Sequence, residues 1–378
     1  MVGTGTWRFA FLQLSARRWY GLWSPIKSLL IVSLLIATGG MTLGRAGTSE
    51  PLSDSVRQQT ETTDVVEVVL PHQGIQRLHG TILDITGEGL VLQSQDKSTR
   101  QIPCDQLVRF ETKYSKSYLE SQRVLNEGRV GEAIQLLAQA RAEESRLWVR
   151  RDVTAQIVRL LHARGQYAEA AREFLAADFA FDSRSPFWSC IPLVWFPEIN
   201  LSTSIQEAAS WLKSNHSVGQ LLGASFLLDG PNQTQAITAL EKLRLAPDRE
   251  VALVATAQLW RREILTAQKT TIREWEKAVE GLPGELRAGP YYVMGTAWQS
   301  QGDLQKSLLA YLKPPILWPE NRRIAARCLW EAAALANRED QLQGGEQTTL
   351  PWHAQALYQE LARRYPESPW ASQVPKTN

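Results

Sequence analysis

His72, His79 and Cys104 are side chains of types that ligate zinc, and all fall within one short stretch. Structural zinc sites draw their donors from close Cys/His pairs that converge on the ion. Spacings of seven and then 25 residues make no such pair, so both histidines read as strand-surface residues and no metal is expected. His162, His216 and His353 are equally dispersed, and no helical histidine has a partner four residues away. Glu143, Glu144, Glu274 and Glu276 sit on charged helix faces, where choosing an acid and a base would be arbitrary. No nucleophile elbow, phosphate loop or zinc-protease motif occurs. Cys104, Cys190 and Cys328 are scattered and odd in number, which excludes a disulfide framework. The chain therefore reads as non-enzymatic, with no catalytic residue and no cofactor.

The segment Ser183–Asn200 (SRSPFWSCIPLVWFPEIN) could do something else. It interrupts a helical pattern with three prolines and with Phe187, Trp188, Trp195 and Phe196. Such a loop could line a concave face and grip a peptide or a glycan. It could equally plug the core between helices, and aromatic clusters are more often core than site. The second reading is preferred.

The elements around these residues follow from composition and period. With 378 residues, 44% hydrophobic and 21% charged, the chain is long enough for two or three folded domains, which excludes wholesale disorder. A formal charge of +2 argues against a dedicated nucleic-acid binder. Five of the 41 basic residues (Arg8, Arg17, Arg18, Lys27 and Arg45) lie in the first 46, which hold no acid, so 36 face 39 acids in the rest. Between Lys27 and Arg45 run 17 uncharged residues, most apolar over Leu29–Ala37, followed by Gly44-x-Ala46. Basic, apolar and small-residue regions in that order form a secretory signal, with cleavage expected after Ala46. An uncleaved membrane anchor is the alternative reading. Either way the folded part lies outside the cytoplasm, in a periplasm or cell envelope. Residues 47–63, rich in Ser, Thr and Gln, read as a tether. Sequons at Asn200, Asn215 and Asn232 matter only in a eukaryotic secretory host.

Residues 64–112 carry four β-rich runs, Val65–Leu70, Gln76–Ile85, Gly89–Ser94 and Arg100–Phe110, separated by turn residues. This spacing predicts a small antiparallel sheet or barrel, docked on the helices because so short a unit is marginal alone. Gly80, Ile82, Asp84, Ile85, Gly89–Leu92, Ile102 and Pro103 give it a pattern that resembles Sm-like and SH3-like barrels. An RNA-binding role is not expected, because Arg77, Lys97, Arg100 and Arg109 are matched by Asp84, Glu88, Asp96 and Asp105.

From residue 113 to 370 the period becomes helical, and paired helices repeat around glycine-bearing turns. In Tyr291–Pro319 the order is Tyr291, Met294-Gly295, Trp298, Gly302-Asp303, Ser307, Tyr311 and Pro319. That order resembles a tetratricopeptide repeat, whose small residues let two helices approach while aromatics fill the gaps. Pro314 departs from it and should end or kink the second helix. Further copies place Gly128, Ala133 and Ala140, then Gly165, Ala170 and Phe174, then Gly223, Phe226 and Ala236; the first two turn glycines are 37 residues apart. Glu250–Leu282 is a degenerate pair with Trp260 and Trp275. The last copy is split: a helix at Ile324–Ala336, a polar insertion at Asn337–Pro351, and a helix with Tyr358 before a Tyr365-Pro366 closure that resembles terminal repeats of bacterial envelope proteins. Residues 371–378 read as a disordered tail.

The expected architecture is mainly α: a tetratricopeptide-like α-solenoid preceded by a small antiparallel β module. The resemblance implies a scaffold that holds a protein segment on its concave face. Arg123, Arg159, Gln258, Arg262 and Gln299 are the groove candidates, joined by Phe187, Trp188 and Trp195 if the aromatic loop faces the groove. Partners are expected to be proteins, with the membrane added if the anchor is retained and a homo-oligomer possible through an uncapped end. Two rival functions are a glycan-binding or glycan-processing envelope protein and a self-assembling structural component.

Overall fold

The computed structural model describes residues 64–70, 74–197, 205–342 and 354–375. The expected signal or anchor, the tether and His72 lie outside the described residues.

The N-terminal part is an antiparallel sheet of β1 (Asp64–Leu70), β2 (Gly74–Thr86), β3 (Gly89–Gln93), β4 (Thr99–Ile102) and β5 (Leu107–Glu111), in the order β4-β3-β2-β1-β5. In β1 alternation puts Val66 and Val68 in the core and turns Glu67 to the outer face. There Glu67 bonds Arg77 at 2.7 Å and Arg109 at 2.6 Å. Those side-chain hydrogen bonds, first from Arg109 and then from Arg77, lower its carboxyl to about 2. The thirteen-residue β2 pairs with β1 over Gly74–Gly80 and with β3 over Thr81–Thr86, and the β2–β3 ladder shifts register between Ile82 and Asp84. The last β-rich run is two strands rather than one. Pro103 has no N–H to continue the β3–β4 ladder, and the chain turns there, the Gln106 N–H bonding Pro103 O at 3.0 Å.

Thirteen α-helices follow among the described residues. They are α1 (Lys116–Asn126), α2 (Val130–Glu143), α3 (Leu147–Ala163), α4 (Tyr167–Ala176), α5 (Ile205–Leu212), α6 (Ser217–Leu227), α7 (Gln233–Leu243), α8 (Arg249–Glu263), α9 (Lys269–Val279), α10 (Ala288–Ser300), α11 (Leu304–Leu317), α12 (Arg322–Leu342) and α13 (Ala354–Arg364). Three pairs close on one device. Gly128, Gly165 and Gly302 take φ of +79°, +75° and +71° after α1, α3 and α10. In each the next N–H reaches back to a helical carbonyl: Arg129 to Val124, Gln166 to Leu161, Asp303 to Trp298. This closure satisfies the last carbonyls and needs a residue tolerant of positive φ, hence the glycines.

Ala133, Ala170, Phe174, Trp298 and Tyr311 are buried, Tyr358 packs on Trp330, and Pro366 is exposed. The Ser307 hydroxyl bonds Gly295 O at 2.8 Å, and the Tyr311 ring lies where a Cβ on Gly295 would stand. Gly223 serves a different neighbour: a Cβ there would meet Leu212 N at 2.5 Å, so it admits α5, the preceding helix, not α7. The indoles of Trp260 and Trp275 stack at 5.1 Å between α8 and α9.

Three expectations fail. First, α11 does not end at Pro314 but continues to Leu317, with Pro314 and Pro315 both buried. Only its final turn loses backbone bonds, and packing holds that turn. Second, α12 runs on from Ala336 to Leu342, so the first residues taken for insertion are helix. Third, the described part of the expected tail is ordered: Ala371–Gln373 form a 3-10 turn, anchored by buried Trp370 against Arg323, Arg327 and Phe196.

The sheet docks on α3. The Trp148 indole N–H bonds Ile82 O at 3.0 Å, and Phe110 meets its ring edge-on at 5.5 Å. Arg151 bridges Asp84 and Asp178. Behind this joint Asp152 is buried and accepts from Gln156 at 2.9 Å and Tyr114 at 3.3 Å. Burial pushes its carboxyl up to about 6, while the Arg159 cation and both hydrogen bonds pull the other way. The native state therefore holds this proton more tightly than the unfolded chain does. That contribution is complete below pH ~4 and lost by pH ~7. Asp152→Asn should gain about 2–3 kcal/mol relative to the parent between those pH values, at 1.36 kcal/mol per pKa unit. Urea unfolding of both proteins at pH 4.5 and 7.5 checks this; a pH-independent difference would refute it.

At the far end α12 returns to the start of the array. Arg323 donates to Tyr167 Oη at 2.8 Å and stacks on the Tyr167 ring. Arg322 pairs with Glu367 at 2.6 Å and fixes the C-terminal segment.

Candidate functional site

Backbone that runs unpaired through a protein interior must find partners for its N–H and C=O groups. Residues 183–197 do this. After the 3-10 turn Pro186–Cys190 the chain runs without regular structure to Pro197, and Ile191, Leu193, Val194, Trp195 and Phe196 are all buried. Its polar atoms are met by helices from three sides. The Val194 N–H donates to Ser225 Oγ at 2.9 Å; Val194 O accepts from Gln258 at 3.2 Å and from Arg261 at 2.8 Å. His162 Nε2 lies 3.2 Å from Leu193 O; burial, then the nearby Arg323, lower the ring to about 4, so it is neutral and donates.

This arrangement corrects the groove expectation. Phe187, Trp188 and Trp195 are core residues, and Gln258 is fully buried, holding the chain's own backbone. Segment 183–197 fills space between helices, as the preferred reading had it. Arg123 and Arg262 are exposed on α1 and α8; Arg123 is tied to Glu120 and Glu127. Gln299 accepts from Tyr311 Oη at 3.3 Å. Arg123, Arg262 and Gln299 lie on α1, α8 and α10.

An open cleft lies elsewhere, where the sheet meets the helices. It has a volume of about 540 Å³. Gly87 and Cys104 of the sheet's turns form one wall, Pro186 and Trp188 the floor, and Leu286 and Ile316–Glu320 the other side. The β2–β3 turn presses on the floor segment: a Cβ on Gly87 would lie 2.4 Å from Arg184 O. Ile316 and Leu317 stand 62% and 40% exposed at its edge, large apolar side chains left in water. A narrower cavity continues inward past Ser189 and Glu285 to Arg159, His162 and Trp195.

At the junction Glu285 accepts from Arg159 at 2.8 Å and from Ser189 at 3.0 Å. Glu285 raises the Arg159 guanidinium against the opposing effect of burial. This trio has a hydroxyl and a carboxylate, but the carboxylate is neutralised by arginine and the nearby His162 is committed to Leu193. Burial pushes the Cys190 thiol up to about 12, and burial and Asp105 raise Cys104, so neither supplies a thiolate near neutrality. Among the described residues no three His, Cys, Asp or Glu side chains are grouped to hold a metal, and His79 is exposed on β2.

Glu285, Ile316, Leu317 and Glu320 escaped the sequence reading. Their one local signal is Ile316-Leu317-Trp318-Pro319-Glu320 after a double proline, an apolar run with no helical partner left to cover it. Comparison with protein-family models, curated proteins and solved structures gives no match to this chain.

Proposed function

We propose that this chain is a non-enzymatic interaction protein of tetratricopeptide type, exported from the cytoplasm, whose Sm- or SH3-like β module and helical array together form the ligand-receiving surface. The single observation that carries this is the cleft at their junction. Its volume of about 540 Å³ is within the range of ligand sites, and large apolar side chains line its mouth. The interior segment takes the space that a concave-face ligand would fill, which moves recognition to the cleft. A glycan is a poorer fit, since sugars stack on open rings and Trp188 and Trp318 are 1% and 4% exposed.

A photoreactive amino acid in place of Ile316 tests the reading in the native host, with one in place of exposed Leu245 as control. A discrete protein adduct from position 316 alone is expected. Equal labelling at both positions, or none at 316, would remove the cleft as the site of recognition. Export predicts a mature chain beginning at Gly47. N-terminal sequencing that finds residues 1–46 retained in a membrane fraction would replace cleavage by anchoring.

A further inference from the structure

The cleft combines uncovered apolar surface with an excess of negative charge. Ile316 and Leu317 extend from the last turn of α11 over the opening, and carboxylates Glu250, Glu285 and Glu320 surround it. Glu285 is neutralised by Arg159. Glu250 and Glu320 have no ion-pair partner among the described residues. Among the described residues the one basic side chain lining the cleft, Arg184, is 71% exposed and lies 3.9 Å from Asp182. Desolvation, with the nearby Glu285 carboxylate, raises the Glu320 carboxyl above its ordinary range, and Arg159 and Arg364 offset this only in part.

A second observation concerns hydrogen bonding. Trp318 lines the same cleft, stacked on Tyr291 at 5.6 Å, and its buried indole N–H has no acceptor among the described residues. Buried N–H groups are nearly always paired, and a carbonyl on a bound chain is the kind of acceptor this one lacks.

Accepting the cleft as the ligand-receiving surface, we infer that its occupant is a short extended segment of a partner protein carrying Lys or Arg between apolar side chains. The cation compensates Glu250 and Glu320, and the apolar neighbours cover Ile316 and Leu317. An acidic or phosphorylated segment would meet like charge at Glu250 and Glu320 and is disfavoured.

The test is selection of random octapeptides displayed on phage against the purified full chain, followed by affinity measurement with the enriched peptides made synthetically. Sequences with Lys or Arg beside aliphatic residues or proline are expected. Their affinity should fall about tenfold in the Glu250→Gln/Glu320→Gln double variant, the loss of two rim ion pairs. It should also fall in Ile316→Ser and stay unchanged in Glu120→Gln on distant α1. Cationic peptides that bind the double variant equally well would overturn the charge assignment. Neutral or acidic peptides that are nonetheless lost in Ile316→Ser would overturn the ligand class while leaving the cleft as the binding surface. No enrichment, or binding indifferent to Ile316→Ser, would overturn both.

Discussion

Arg261→Met should lower the unfolding free energy by about 3–5 kcal/mol, the cost of breaking one side of a buried charged network. The neighbouring Arg262→Ala should change it by less than about 0.5 kcal/mol, as an exposed helix position does. The contrast follows from what each side chain touches. Arg261 is buried and donates to Val194 O at 2.8 Å, Ser225 O at 3.0 Å and Gln258 Oε1 at 2.7 Å, and it pairs with Asp229. Methionine keeps most of the volume and removes every donor. Val194 O then retains Gln258, but buried Ser225 O loses a charged donor, and the Asp229 carboxylate, open to water on its other side, loses its ion-pair partner. Burial lowers the Arg261 pKa against the pull of Asp229, which marks how much of the pair's attraction goes into desolvation. Urea titration followed by tryptophan fluorescence reads both variants. A loss below about 1 kcal/mol for Arg261→Met would mean that the interior segment does not depend on this donor for its place.

Arg261 and Arg262 also show where sequence reading stops. The paired helices were legible at Gly128, Gly165 and Gly302, because a helix closed by a left-handed residue leaves a local chemical mark. The burial of Phe187, Trp188 and Trp195 followed from their apolar bulk, with no knowledge of what surrounds them. Helix α8 carries no such mark. It is buried on several faces, from Val251 and Val254 to Gln258, Trp260 and Arg261. No single apolar stripe therefore tells which of its polar residues face water. Gln258 and Arg261 point inward to serve a carbonyl at Val194, more than sixty positions away. The cleft is harder still. Gly87, Trp188, Glu250, Leu286 and Glu320 come from five separate parts of the chain, and nothing in any one of them announces the others. The return of α12 to α3 through Arg323 is of the same kind. Local chemistry specifies each helix pair, whereas long-range packing decides that the array's interior is occupied and its open surface lies at the junction with the sheet.

The interior segment also predicts a coupling between two residues nearly a hundred positions apart. A Cβ placed on Gly289, in the first turn of α10, would lie 2.1 Å from the Trp195 ring. Glycine is therefore required there by the indole, not by its own backbone. In an exposed helix interior Gly→Ala gains about 1 kcal/mol. Here the methyl must displace a large ring whose own neighbours are close-packed, and overpacking of this sort costs about 1–3 kcal/mol or more. Gly289→Ala should therefore destabilise the parent by about 2–3 kcal/mol. Trp195→Leu alone should cost a similar or larger amount through lost burial, about 3–4 kcal/mol. Combined, the two should cost less than their sum, because leucine vacates the space that alanine needs. A coupling of about 2 kcal/mol or more is expected, well above the ~0.5 kcal/mol within which independent sites add. Unfolding titrations of the four proteins complete the cycle. If Gly289→Ala costs the same with tryptophan or leucine at 195, the ring does not rest on α10. The segment would then not depend on α10 for its place among the helices.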